Sequence, residues 1–139
     1  MTSSAASLLL RLGIGATFIV AGLEKVVRGA QATAAYFASL GMPLPEVSAP
    51  LVSWFELIGG VLLVLGGATV VVSMLFALEM LFVIVFVRIA DAAQAFSLVD
   101  AFVAVRLEVL LALGATAIAV LGSGAWSIDE WLPRRFRRE

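Results

Sequence analysis

Residues 50–87, PLVSWFELIGGVLLVLGGATVVVSMLFALEMLFVIVFV, decide the fold. This stretch contains two ionisable residues, Glu56 and Glu79, and a glycine pair, Gly66-Gly67, near its middle. A transmembrane helix needs about 20 mainly apolar residues, so the stretch is long enough for two spans. A glycine pair is a turn signal, and a short turn joins neighbouring antiparallel helices. The sequence therefore predicts a transmembrane helical hairpin.

The rest of the chain supplies two further apolar segments and short connectors. A break at Gly41-Met42-Pro43 ends a predicted re-entrant or surface helix over residues 30–40. Four spans consume most of the 139 residues, so we expect one membrane domain over residues 1–125 and a basic tail over residues 126–139. The predicted fold class is all-α, an antiparallel four-helix bundle integral to the membrane. Its spans cover residues 7–24, 50–66, 69–88 and 100–121.

A cleaved signal peptide is the alternative interpretation of the first apolar segment. Residues 1–7 carry no basic side chain and Arg11 interrupts the apolar core, so a membrane helix is favoured. Arginines at 134, 135, 137 and 138 follow the last span, which predicts that both termini are cytoplasmic by the positive-inside rule. Lys25 and Arg28 oppose this orientation, because their connector would then lie outside.

The composition describes a membrane protein and limits its chemistry. The chain is 63% hydrophobic and 14% charged, with a mean hydropathy of +1.12, whereas soluble domains are about 25% charged. The sequence therefore predicts that the protein's main partner is the lipid bilayer. Its net charge of −1 produces no positive electrostatic potential that would attract nucleic acid. The chain has no cysteine and no histidine, so the sequence predicts no metal site and no covalently held cofactor. Redox chemistry would need an organic cofactor such as a quinone, or partner proteins.

Ionisable residues within the apolar segments are the candidate functional residues. A charge at a helix centre costs about 2.5 to 3.5 kcal/mol in lipid unless it is paired or faces a cavity. Helix rise places Glu56 and Arg106 at one depth, about 9 Å from the outer ends of their spans, so we expect them to pair. Arg11 lies towards the opposite face, where the sequence offers no partner at its depth. The full set is Arg11, Glu24, Lys25, Glu56, Glu79, Arg88, Arg106 and Glu108.

Two main hypotheses account for these charges. In the first, Glu56 with Arg106, and Glu79 or Glu108 with Arg88, form structural ion pairs that lock the helices together. In the second, they line a polar pocket in the outer half of the bundle, where a buried carboxyl exchanges a proton with a bound molecule. Charges facing lipid or a subunit interface are a third alternative, and the sequence permits a homo-oligomer.

Glycines recur on the first two spans at intervals of seven residues. Small residues let transmembrane helices approach closely, so we expect these glycines to pack helices together. The set comprises Gly15 and Gly22 on the first span and Gly59, Gly60, Gly66 and Gly67 on the second.

Several of these residues together resemble the DoxX family of small bacterial four-helix membrane proteins. The likeness spans about the first 90 residues; the fourth span matches in hydropathy alone. The resemblance implies a bacterial inner-membrane protein associated with oxidoreductase systems, such as thiosulfate:quinone oxidoreductases or oxidative-stress complexes with soluble thiol enzymes and superoxide dismutase. It assigns no reaction. Motif positions carry over onto Arg11, Lys25, Glu56, Gly22, Gly41, Gly59 and Gly60, and the likeness also includes Gly15, Phe18 and the segment 37–43.

We therefore expect a membrane subunit or anchor of a redox complex, with a quinone site near Glu56 and Arg106. The chain holds no autonomous redox centre, and the sequence does not decide whether it is catalytic. A non-catalytic scaffold that recruits soluble or membrane redox proteins through the basic tail and the connector after the first span is the alternative hypothesis. A small transporter subunit is less favoured, because four spans leave little room for a pore.

Overall fold

The computed structural model describes residues 2–89, 93–95, 97–124 and 126–131. The arginines of the predicted tail lie outside these ranges. The helices are α1 (Thr2–Arg28), α2 (Ala30–Ser39), α3 (Pro45–Leu65), α4 (Thr69–Val83), α5 (Leu98–Leu121) and α6 (Ile128–Trp131), and a π-helical turn (Ile84–Arg88) continues α4.

Four of these helices are long and apolar enough to cross a membrane. They cover Ser4–Arg28, Pro45–Leu65, Thr69–Arg88 and Leu98–Leu121. No strand occurs within the described ranges. The predicted class, an all-α membrane protein with four spans, is confirmed.

The second span begins earlier than the sequence predicts. Pro45, and not Pro50, occupies its first turn. A first-turn proline loses no intrahelical hydrogen bond, because the first amides have no partner in any helix. Pro50 lies inside α3, where it removes the hydrogen bond to the Glu46 carbonyl.

The turn between α3 and α4 is held by a distant segment of the chain. Gly66 ends α3 in the left-handed conformation, with φ of 74°, which glycine adopts without strain. The Asp129 carboxylate accepts hydrogen bonds from the Ala68 and Thr69 amides at 2.7 and 2.9 Å, and so caps α4. The Asp129 amide donates to the Gly66 carbonyl at 2.9 Å. The short helix α6 is thereby fixed onto this turn.

The bundle is built from two helix pairs, α1 with α3 and α4 with α5, which meet in a common core. The Phe18 ring stacks on the Phe76 ring with centroids 3.6 Å apart, joining the two pairs. Buried Leu63, Ala115 and Ile118 belong to the same core. We call the end that holds the α3–α4 turn and α6 the Arg11 end, and the opposite one the Lys25 end.

Glycines lie where α1 and α3 cross. A Cβ at Gly22 would lie 2.5 Å from the Leu57 nitrogen, and one at Gly60 would lie 2.8 Å from the Gly15 carbonyl oxygen. Gly59 faces the Phe76 ring, which a Cβ would approach to 2.9 Å. These positions therefore permit close approach of the helices. A Cβ at Gly67 would make only an ordinary contact, 3.4 Å from Leu62.

Helix α2 packs over the Lys25 end of the bundle. Its buried Ala34 and Phe37 form a small apolar cluster with Ala49 of α3. The buried Thr33 hydroxyl donates to the Lys25 carbonyl at 3.1 Å. These contacts fix α2 against α1 and α3.

Candidate functional site: a charged cavity at the Lys25 end

A cavity of about 420 Å³ lies at the Lys25 end, between α2 and the ends of the four spans. Its walls include apolar side chains from each span, among them Phe18, Val52, Met80 and Leu111. Seven acidic and basic residues also line it: Glu24, Lys25, Arg28, Glu56, Glu79, Arg88 and Glu108. The cavity thus combines an apolar interior with both signs of charge.

Helix periodicity brings these charges to the interior. Arg11, Phe18 and Lys25 are seven residues apart on α1, and a heptad step changes the azimuth by only about 20°. All three therefore share one face of α1, with Phe18 in the core between the two charges. On α5, Glu108 is buried one turn before Leu111 and Ala112, so it shares their inward face.

Each cation that lines the cavity contacts a different carboxylate. Lys25 Nζ lies 2.5 Å from Glu56 Oε2, and the two side chains are 24% and 6% exposed. Arg88 Nε lies 2.7 Å from Glu108 Oε1, whose side chain is also largely buried.

The third pair, Arg28 with Glu24, joins residues one turn apart on α1. Its N–O distance is 2.5 Å, but the side chains are 47% and 64% exposed, so the pair lies at the rim of the cavity. Glu56 and Glu108 are thus buried acids paired with partly exposed cations, whereas both members of the Arg28–Glu24 pair are exposed.

Glu79 is the remaining acid of the cavity. Its carboxyl lies close to the Glu56 carboxyl. Within the described part of the chain it forms no ion pair, and its Oε2 is buried without a hydrogen-bond donor. A hydrogen bond between two carboxyls requires a proton on one of them. Glu56 and Glu79 can therefore hold a proton inside the bundle.

The predicted pair between Glu56 and Arg106 is wrong. Glu56 contacts Lys25 instead, and Arg106 is exposed on the outer face of α5, away from the cavity. The prediction used depth alone. Residues two apart on a helix point about 200° apart, so the inward direction of Glu108 turns Arg106 outward.

Arg11 lies fully buried at the opposite end of the bundle. Its Nη2 donates to the Trp126 carbonyl at 2.6 Å, and the Asp129 carboxylate is close enough to attract it. Its Nε and Nη1 have no hydrogen-bond acceptor among the described residues. A Cβ at Gly66 would collide with the Arg11 guanidinium. The partner that sequence reasoning lacked is thus the segment after α5.

Sequence reasoning also missed the contribution of α2. Thr33, Tyr36, Phe37 and Leu40 of this helix line the cavity. Its apolar side chains were the available signal, but they predicted contact with the membrane surface. They contact α3 and the cavity because Thr33 ties α2 to the end of α1.

These features define a class: a four-helix integral membrane protein with a charged cavity at one end of its bundle. The chain belongs to the DoxX family, whose sequence pattern matches residues 6–89. The matched part includes Arg11, Lys25, Glu56, Glu79 and Arg88, whereas Glu108 lies beyond it. Most of the charges of the cavity therefore lie in the part that matches the family.

The chain is similar to a protein of Bacillus subtilis (strain 168) named "Putative oxidoreductase CatD". The two are 42% identical over 83 residues, which is 60% of this chain and 60% of that protein. No significant match to a solved structure was found.

Proposed function

We propose that the protein is a membrane component of an oxidoreductase system in the bacterial cytoplasmic membrane, and that its charged cavity binds a quinone. The main support for this proposal is the cavity, in which Lys25, Arg88 and the carboxyls of Glu56 and Glu79 lie among apolar walls. The relative named as an oxidoreductase supports the general assignment.

The residues of the cavity fit a quinone. Its volume of about 420 Å³ falls within the range of about 300 to 1,000 Å³ that is usual for small-molecule sites. Phe18, Phe37 and Met80 offer apolar surface to a ring. Lys25 and Arg88 carry N–H groups that can donate to a carbonyl oxygen.

A bound quinone supplies an acceptor of two electrons and two protons. In this proposal Lys25 orients a carbonyl oxygen, while the Glu56–Glu79 pair holds a proton at the edge of the cavity. The chain has no cysteine thiolate and no histidine to hold haem, so the electrons come from a partner redox protein. The protein then acts as the quinone-binding subunit of that system.

Binding of decylubiquinone to the full chain in mild detergent tests the proposal. Ala21→Phe fills the cavity without changing a charge, since Ala21 lines it. Ala16→Phe is the matched control, because Ala16 lies on the same helix, exposed and outside the cavity. We expect decylubiquinone to raise the Tm of the wild type and of Ala16→Phe, but not of Ala21→Phe.

The absence of stabilisation in the wild type would refute the quinone site. If soluble proteins still co-purified in that case, the result would favour the scaffold hypothesis. Equal stabilisation of both phenylalanine variants would show that decylubiquinone binds elsewhere.

A further inference from the structure

Among the described residues, one acid that lines the cavity belongs to no ion pair. Lys25, Arg28 and Arg88 contact Glu56, Glu24 and Glu108 respectively. Glu79 is the fourth acid of the lining, and within the described ranges it belongs to no ion pair. Buried polar groups in folded proteins nearly always have a hydrogen-bond partner, so we expect the Glu79 carboxyl to have one as well.

The contact with Glu56 still leaves one oxygen of the Glu79 carboxyl, Oε2, without a hydrogen-bond donor. Glu56 already accepts a hydrogen bond from the Lys25 ammonium, so in this inference Glu56 is the carboxylate and Glu79 the carboxylic acid. Glu79 then donates to Glu56 and keeps one oxygen as an acceptor. Among the described residues, no N–H or O–H group donates to Glu79 Oε2.

The oxidised and reduced forms of a quinone present different hydrogen-bonding groups to this oxygen of Glu79. The carbonyl oxygen of a quinone only accepts hydrogen bonds, so it cannot form one with the Glu79 oxygen, which is also an acceptor. A hydroquinone carries O–H groups, and one of them can donate. A site built to hydrogen-bond a hydroxyl discriminates strongly against an analogue that lacks it.

We propose that Glu79 accepts a hydrogen bond from a hydroxyl of bound hydroquinone, so that the cavity binds the reduced form more tightly than the quinone. This inference rests on the proposed quinone site and adds its specificity-determining residue. A hydrogen bond of this kind corresponds to about a tenfold difference in Kd. Tighter binding of the reduced form raises the midpoint potential of the bound couple, by about 30 mV for each tenfold.

The test compares decylubiquinone with its reduced form under anaerobic conditions, by isothermal titration calorimetry on the full chain in detergent. We expect the wild type to bind the reduced form about tenfold more tightly. Glu79→Leu removes the acceptor and should abolish this preference by weakening the reduced form alone. Glu79→Gln should retain it, because the amide can donate to Glu56 and present its carbonyl to the ligand.

Arg106→Leu is the control, since Arg106 is a charge on the exposed face of α5 and outside the cavity. It should leave both Kd values unchanged. A redox titration of the bound couple gives an independent readout, with a midpoint potential that falls in Glu79→Leu and not in Glu79→Gln.

Each outcome separates the two proposals. Equal affinity for both forms in the wild type, or a preference that survives Glu79→Leu, would overturn the role of Glu79 and leave the quinone site intact. If neither form bound, the proposed function and this inference would both fail.

Discussion

At the scale of single residues, the direction in which a side chain points around its helix axis decides which charged groups come into contact. Depth could be predicted from sequence, because the rise per residue is fixed. It placed most of the intramembrane charges in one half of the bundle, where Lys25, Glu56 and Glu79 line the cavity. Azimuth could not be predicted with equal certainty, since the inward face of α5 depends on its packing against α4. Arg106 was therefore misassigned as the partner of Glu56.

The Lys25–Glu56 pair should show strong energetic coupling. Removing one partner of a buried pair leaves an uncompensated charge, so Lys25→Met and Glu56→Gln should each lower the free energy of unfolding by about 3 kcal/mol. The double variant should lose less than the sum, with a coupling of at least about 1 kcal/mol. Equilibrium unfolding in mixed micelles measures all three variants.

The rim pair on α1 provides the control for this double-mutant cycle. Glu24 and Arg28 make an ion pair with the same 2.5 Å distance, but in an exposed setting. Their coupling should be only about 0.3 to 0.5 kcal/mol. If the Lys25–Glu56 coupling were equally small, burial would not be strengthening that pair.

At the scale of elements, contacts across long sequence separations were the part that sequence could not predict. The four spans followed from composition and length, because lipid requires internally hydrogen-bonded helices. The docking of α6 did not follow, since Asp129 caps a helix that begins 60 residues earlier. Arg11 was unexplained for the same reason: its acceptor, the Trp126 carbonyl, lies 115 residues away.

Removing the Asp129 carboxylate should destabilise the start of α4. Asp129→Ala leaves the Ala68 and Thr69 amides without their acceptors, which should cost about 1 to 2 kcal/mol of stability. Hydrogen exchange of these amides should accelerate. Glu130→Ala is the control on the same short helix, because Glu130 is exposed and caps neither amide. Equal exchange in the two variants would contradict the capping role.

Two glycines on α1 should respond oppositely to alanine. Gly13 has open space around it, so Gly13→Ala should stabilise the helix by about 0.5 to 1 kcal/mol. At Gly22 the new methyl would meet the α3 backbone, so Gly22→Ala should destabilise the bundle by about 1 to 3 kcal/mol. Thermal unfolding in detergent compares them directly. A stabilising Gly22→Ala would mean that α1 and α3 do not approach closely there.

At the scale of the whole molecule, the two ends of the bundle differ in kind. At the Arg11 end, hydrogen bonds of Arg11, Gly66 and Asp129 connect α1 and the α3–α4 turn to the segment that follows α5. The Lys25 end instead encloses a cavity. The stacked Phe18 and Phe76 rings lie in the core that α1 shares with α4. The sequence predicted this asymmetry of charge. A polar pocket among these charges was one of its two main hypotheses, but the wall that α2 contributes to the cavity was not predicted.

The orientation of the bundle decides from which side of the membrane the cavity is approached. The arginines at 134, 135, 137 and 138 predict that the Arg11 end faces the cytoplasm, so the Lys25 end should face outward. Because the chain has no cysteine, a single introduced thiol reports its side. In spheroplasts, an impermeant maleimide should label Ser39→Cys at the end of α2, but Glu130→Cys on α6 only after permeabilisation, with the cysteine-free wild type as the blank. The opposite labelling pattern would place the cavity towards the cytoplasm, and a cytosolic reductant could then reach it directly.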